Sequence, residues 1–303
     1  MIKTLLSDSQ LTDIAHVIRD EIYTPVNQSK RTVFLCGADI KDRTTGRSKM
    51  ASVFQNQQSR IKYELLYPES LFDDLLAGQG QHSLLELENI LANSVDAIVL
   101  FPESPGSFAE LGAFSSNPNL VNKLICISNK RFEHKRSFIN YGPNRLIKAS
   151  QTGKVLHEDY TLIDDPSESK KLFRRVSDCI TKIQKSSPTP KNITNILEAE
   201  NFILPCIYLI EGAKFNVLSS LLEKATSQSK KLANIATQSA LTRLQNSRLI
   251  MNSTEGFTMT RQGEQFVTSN FRESSMDSVR VEILNFQNRR KSIIDRARML
   301  KHL

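Results

Sequence analysis

The spacing of apolar positions changes period several times along the chain. Between residues 9 and 23, Leu11, Ile14, Ala15, Ile18 and Ile22 recur at the three- and four-residue spacing of one helix face. Short apolar runs follow: 32–36, then Y-E-L-L-Y-P-E ending a second strand near Tyr67, then 97–101, then L-I-C-I-S at 124–128. The run A-I-V-L-F at 97–101 is too short for a helix and reads as a strand buried on both faces. Helical patterns separate these runs. One is expected over 83–93, another just after 97–101, and an amphipathic one through Phe173, Val176 and Ile180, after V-L-H-E-D-Y. Strands alternating with helices predict an α/β fold, a Rossmann-like parallel sheet with right-handed crossovers.

The pattern changes at S-S-P-T-P-K, 186–191, where Ser and Pro together mark a linker. Beyond it, N-I-L-E-A-E-N-F-I-L-P-C-I-Y-L-I-E opens an apolar helical stretch, and helices are expected over 217–225 and 236–249. S-T-E-G-F-T-M-T places Gly256 at a turn between short strands, and R-Q-G-E-Q-F-V resumes a helix. Three helices, a hairpin and a helix are the order of a winged helix-turn-helix. The expected division is therefore a sheet domain over 1–185, a linker over 186–191 and a mostly helical winged helix-turn-helix over 192–303, with a basic C-terminal helix. In that reading T-Q-S-A-L-T-R-L-Q is the recognition helix, carrying Gln238, Thr242, Arg243 and Gln245 toward phosphates or base edges.

Charge sharpens this division. The formal net charge of +8 is uneven: residues 186–303 hold 16 Lys/Arg against 10 Asp/Glu, while the first 185 hold 24 against 22. The excess favours a polyanion, or is simply a solvated basic face. It is densest in the tail, with Arg289, Arg290 and Lys291 followed by Arg296, Arg298 and Lys301. The four cysteines, Cys36, Cys126, Cys179 and Cys206, are far apart and no pair has metal-ligand spacing. Buried thiols in a reducing cytoplasm are expected, with no metal site. No signal peptide and no bilayer-length apolar run is present, so the expected protein is cytoplasmic with no membrane partner.

Candidate chemistry concentrates at V-D-A-I-V-L-F-P-E-S-P-G-S-F-A-E-L-G-A-F, 95–114. Pro102, Pro105 and Gly106 end the strand, and Ser107 is expected to cap the following helix with Glu110 three residues on. A strand, a tight loop and a helix start mark the ligand-binding edge of an open α/β sheet. Glu110 either returns to the Ser107 N–H as a capping residue or is a reactive carboxylate. Backbone N–H groups of Gly106 and Ser107 favour an anion. After the first strand, Gly37 would let a ligand approach the backbone at Ala38, and Asp39 could meet a sugar hydroxyl. Lys41, Arg43, Arg47 and Lys49 follow in a basic loop, exposed or phosphate-binding. Residues 135–146 cluster Arg136, Asn140, Tyr141 and Arg145 in a loop that could be a lid, a nucleotide contact or an interface.

P-G-S-F-A-E-L-G resembles the G-S/T-x-x-E-x-G loop of nucleoside 2-deoxyribosyltransferases, in which the glutamate attacks the anomeric carbon. Stretches along nearly the whole chain, among them F-L-C-G-A-D, K-R-S-F-I-N-Y-G-P-N-R-L, F-I-L-P-C-I-Y-L and N-F-Q-N-R-R-K-S, are similar to deoxyribosyltransferase-like effector toxins encoded beside a retron reverse transcriptase and its multicopy single-stranded DNA. The resemblance implies an N-glycosidase without a cofactor, a hydrolase of NAD or a nucleoside or a deoxyribosyltransferase-like enzyme, with NAD or a related nucleotide as substrate. A reverse transcriptase–msDNA complex would restrain it until phage infection. It makes Glu110 the nucleophile and Glu88 the second acid, and it points to Gly37, Ala38, Asp39, Ser104, Gly106, Ser107, Asn140 and Tyr141 around the substrate. Arg243, Arg289, Arg290 and Lys291 would meet nucleic acid or partner protein, and a homo-oligomer is expected.

One position departs from the family. Simple deoxyribosyltransferases carry an aspartate six residues before the nucleophile, and here Ser104 stands there beside Glu103. That favours a different sugar pose, ribose rather than deoxyribose, and hydrolysis over transfer between bases. The alternative from another class is a nucleotide-sensing or DNA-binding regulator without catalysis.

Overall fold

A computed structural model describes residues 8–23, 31–56, 62–69, 90, 94–210, 212–271 and 274–285. The chain divides into two compact units, one of Gln28–Pro190 and one of Met1–Asn27 with Lys191–Leu303.

The first unit is built on five parallel strands: β1 (Arg31–Cys36), β2 (Tyr63–Leu66), β3 (Ala97–Leu100), β4 (Leu124–Asn129) and β5 (Lys154–Glu158). Their spatial order is β2-β1-β3-β4-β5, so the direction of winding reverses between β1 and β3. All four residues of β3 have no exposed surface, as an uninterrupted apolar run in a central parallel strand requires. Among the described residues, the α-helices of this unit are α2 (Gly46–Phe54), α3 (Pro105–Ser116), α4 (Phe138–Tyr141), α5 (Pro143–Ala149) and α6 (Pro166–Ser186). Asp165 starts α6 by accepting from the Ser167 and Glu168 N–H groups, with Pro166 at the first helical position. Leu172, Val176, Ile180 and Ile183 then form its buried stripe over the sheet. Phe54, Tyr63 and Phe173 pack edge to face, with ring centroids 5.2–5.8 Å apart.

The expected linker is not a free tether. Thr189 is buried; its hydroxyl donates to the Val95 carbonyl at 2.9 Å and accepts from Lys123 Nζ at 3.2 Å. The division between units falls after Pro190.

The second unit holds α1 (Asp8–Val17), continued by a π-helical turn (Ile18–Ile22) that keeps Ile18 and Ile22 buried. The sequence division assigned this helix to the sheet domain, yet it groups with the C-terminal residues. Arg19 donates to the Ala225 carbonyl at 3.1 Å and Lys224 pairs with Asp8 at 2.8 Å. The reason is non-local: α1 packs on α8 (Phe215–Thr226), some two hundred residues away. Then come α7 (Ala199–Leu209), α9 (Lys230–Asn246), the antiparallel pair β6 (Ile250–Ser253) and β7 (Gly256–Met259), and α10 (Arg261–Asn270). A single antiparallel bridge joins Ala213 to Phe257. Gly256, at φ 137°, lies so close to this segment that a Cβ would meet the Gly212 carbonyl oxygen at 2.3 Å. Residues 274–285 are helical.

All four cysteines are free thiols. Complete burial pushes Cys126 up to about 12, so it stays protonated at neutral pH. Among the described residues no helix is long and apolar enough to cross a membrane.

Candidate active site

The carboxyl ends of β1 and β3 meet where the sheet reverses its winding, the position at which open α/β sheets bind ligands. Helix α3 begins there, three residues earlier than its sequence predicts. Ser104, not Ser107, is the N-cap, and its hydroxyl accepts from the Ser107 N–H at 3.2 Å. The Ser107 hydroxyl returns to the Ser104 N–H at 2.8 Å and the Glu103 N–H at 3.0 Å, completing a capping box. Pro105 explains the shift: it has no N–H to satisfy and its fixed φ suits the first helical position, so the apparent loop residue starts the helix.

This arrangement removes Glu110 from the capping role. It stands six residues after the cap, half-buried, with Oε2 covered. Side chains on a helix lean toward its N-terminus, which carries Glu110 back toward the strand ends. Its charge reaches the Arg47 guanidinium and favours the protonated cation there.

Arg47 is the centre of the described site. The basic loop expected over 41–49 instead ends in α2, capped by the Thr45 hydroxyl accepting from Ser48 N–H, and this buries Arg47 completely. Its Nε donates to the Leu35 carbonyl at 3.0 Å and Nη1 to the Ala38 carbonyl at 2.7 Å. Nη1 and Nη2 grip Glu69 in a two-point ion pair at 2.5 and 2.7 Å, and Tyr67 lies under the guanidinium. The role expected of Gly37 changes accordingly. A Cβ there would meet Arg47 Cβ and Cδ at 2.9 Å, so the bare glycine makes room for the arginine stem.

Glu103 links the two strand ends. Its carboxylate accepts from the Gly46 N–H at 2.7 Å and the Arg47 N–H at 2.9 Å, at the start of α2. Burial raises its pKa, and the hydrogen bonds from Arg47, Gly46 and Ala38 oppose that rise without cancelling it. A raised folded-state value stabilises the fold most in acid and loses that contribution as pH rises through it. Urea midpoints of the wild type should therefore fall relative to Glu103→Gln as pH increases above the ordinary carboxylate value of 4.5. A pH-independent difference would mean Glu103 does not titrate differently in the fold.

Several expected ligands have other work. The Ser107 N–H is engaged in the cap, while Gly106 is exposed with open space beyond its Cα. Asp39 is exposed and accepts from the Lys41 N–H at 3.0 Å. Within 135–146, residues 138–141 form α4 and 143–146 begin α5, joined by a turn at Gly142. Asn140 donates to the Phe132 and Lys135 carbonyls at 2.9 and 2.7 Å and accepts from Asn144 at 2.8 Å, so its amide ties this segment together. Tyr141 is 61% exposed. Glu88, with Arg289, Arg290 and Lys291, lies outside the described residues. A groove of about 840 Å³ runs along Ile40, Lys41, Arg43, Ser48 and Ser52, and Glu110 does not line it.

In the other unit, α9 does not present Arg243 outward. Eight of its residues are buried, from Ala233 to Leu244. Arg243 donates to the Leu197 carbonyl at 3.1 Å and pairs with Glu200 at 3.3 Å, tying α9 to the start of α7. Arg243→Ala should destabilise this unit by about 1–3 kcal/mol, because a mostly buried carboxylate loses its cation. Thermal melting of the variant checks this; an unchanged melting temperature would return Arg243 to the candidates for partner contact.

The family model described as STM3845 retron effector protein matches residues 43–252. The chain belongs to that family. A retron Ec86 protein of Escherichia coli, named as a ribosyltransferase/DNA-binding protein, is 45% identical to this effector over 299 residues, 96% of each chain. A retron Ec73 protein of Escherichia coli with the same style of name is 27% identical over 224 residues, 69% of the effector and 70% of that protein. The effector is thus one component of a retron system, and its relatives' names point to glycosyl-transfer chemistry.

Proposed function

We propose that this retron effector cleaves the N-glycosidic bond of NAD or a related nucleotide, with Glu110 as nucleophile. The observation that carries the reading is the place of Glu110 on the helix that follows β3 where the sheet reverses its winding, with its charge acting on Arg47 while Ser104 and Ser107 cap the helix. A Glu110 carboxylate oxygen bonds to the anomeric carbon as the C–N bond breaks, and that electron pair leaves with the base. Nicotinamide in NAD departs as a neutral base from a cationic ring and needs no proton. Water then attacks the anomeric carbon, gives up a proton to solvent, displaces the Glu110 carboxylate and leaves the glycosyl group with a hydroxyl (ADP-ribose when NAD is cleaved), in the manner of retaining glycosidases. Glu88 is proposed to position ribose or that water. The neighbouring Glu103, set against the start of α2, does not replace the missing aspartate, since its oxygens are already bonded to Gly46 and Arg47 N–H groups.

The sheet unit is read as Rossmann-like and the other as a winged helix-turn-helix. The order α7, bridge at Ala213, α8, α9, β6–β7 and α10 supports the latter, as does the DNA-binding part of the relatives' names. This unit would engage a reverse transcriptase–msDNA complex that restrains the toxin until phage infection. Purified effector incubated with NAD and with nucleosides, followed by chromatography of the free base, tests the chemistry. Nicotinamide release is expected, and no released base from any of them would leave a nucleotide sensor in its place.

A further inference from the structure

The segment following β4 carries a surface that the proposed chemistry does not use. Residues 130–148 contain six Lys or Arg and a single carboxylate, Glu133. All six cations are exposed. Among them stand aromatic rings that a folded protein would ordinarily cover: Phe138 is 83% exposed and Tyr141 61%. Phe132, 38% exposed, already has Arg131 at 4.5 Å and Lys135 at 5.1 Å over its ring.

The backbone that carries these rings is held by hydrogen bonds. The Asn140 amide holds the Phe132 and Lys135 carbonyls, and Ser137 caps α4 through the Asn140 N–H. A Cβ on Gly142 would meet the Phe138 carbonyl oxygen at 2.9 Å, so the glycine lets the chain turn tightly at the end of α4. Aromatic faces interleaved with guanidinium and ammonium groups are the chemistry that takes unstacked bases and their phosphates together. A duplex offers its phosphates but keeps its base faces stacked.

We propose that residues 130–148 form a docking surface for single-stranded nucleic acid, with bases stacking on Phe138 and Tyr141 and phosphates meeting Arg131, Lys135, Arg136 and Arg145. The surface follows β4 at the carboxyl edge of the sheet, the same edge that holds Glu110. The binding claim does not depend on the glycosidase reading, because it is measured without turnover.

The chain has no tryptophan, so Phe138→Trp supplies a single fluorescent reporter. Adding oligo-dT to the full chain should quench that fluorescence, with less quenching by a duplex of equal length at the same salt. In anisotropy titrations, Phe138→Ala and Tyr141→Ala should each weaken oligo-dT binding roughly five-fold or more. Phe138→Leu should weaken it similarly, because it keeps apolar area but has no ring face. The exposed position of Phe138 makes misfolding a poor excuse, and unchanged thermal melting of each variant closes that route. Wild-type affinity in both alanine variants, or equal quenching by duplex, would overturn the proposal. So would sedimentation showing that Phe138→Ala dissolves a self-associated form without altering oligo-dT affinity, which would make the surface a contact between copies of this chain.

Discussion

Exchanging Glu110 for Gln should abolish release of base from NAD while the protein stays folded. The two side chains have nearly the same shape, but the amide cannot attack an anomeric carbon. Loss of the attacking group lowers kcat/KM by roughly three orders of magnitude or more. The helix start offers no competing explanation, since Ser104 and Ser107 cap each other and Glu110 contributes nothing to that cap. Because Gln keeps the size of the side chain and an acceptor oxygen, stability should change by only about 1 kcal/mol. Glu110→Asp is informative in a different way. It retains the carboxylate but draws it back by about one bond length, and misplacement of that order costs about a hundred-fold. Base release measured by chromatography, beside urea melts of the same preparations, separates the cases. Full activity in Glu110→Gln would end the nucleophile assignment, and a collapse of stability in it would point to a structural carboxylate.

The contrast between Ser104 and Ser107 shows how far sequence carries. β3 and β4 could be located because an apolar run of four to six residues between polar neighbours has few alternatives to a strand covered on both faces. The register that brings Gly37 and Ser104 to one edge follows from β1 and β3 being neighbours, which two strands separated by sixty residues do not advertise. Pro105 and Gly106 were ambiguous because the residues that make a turn also suit the first helical turn. The strand-loop-helix unit was legible; its capping serine was not. Long-range partners were hidden for the same reason. Arg243 reads as a recognition-helix cation until Glu200 and the Leu197 carbonyl, more than forty residues earlier, are seen to hold it. Likewise α1 has a clear apolar face, but nothing in its own residues says that α8 covers it rather than the sheet.

Arg47→Met should cost about 3 kcal/mol or more in urea denaturation, the largest stability effect expected in the sheet unit. Methionine preserves the buried stem packed against Gly37, so the loss isolates the guanidinium. Two contributions compete to explain it. The ion pair with Glu69 has short bonds, but the Glu69 side chain is 54% exposed and water can replace its partner. The carbonyls of Leu35 and Ala38, at the end of β1, receive charged donors within the fold, and an orphaned acceptor there costs about 1–3 kcal/mol each. The carbonyls should dominate. Glu69→Gln is then expected to cost only about 1 kcal/mol, although it breaks the same ion pair. Arg47→Lys should resemble Met more than the wild type, because one ammonium cannot span two carbonyls and a carboxylate lying in different directions. Equal losses in Glu69→Gln and Arg47→Met would reverse this ranking and make the ion pair the principal contact. Activity measured well below the melting temperature adds a second readout: if Arg47 also shapes the charge around Glu110, kcat falls in Arg47→Met by more than the folded fraction accounts for, while Glu69→Gln follows its folded fraction alone.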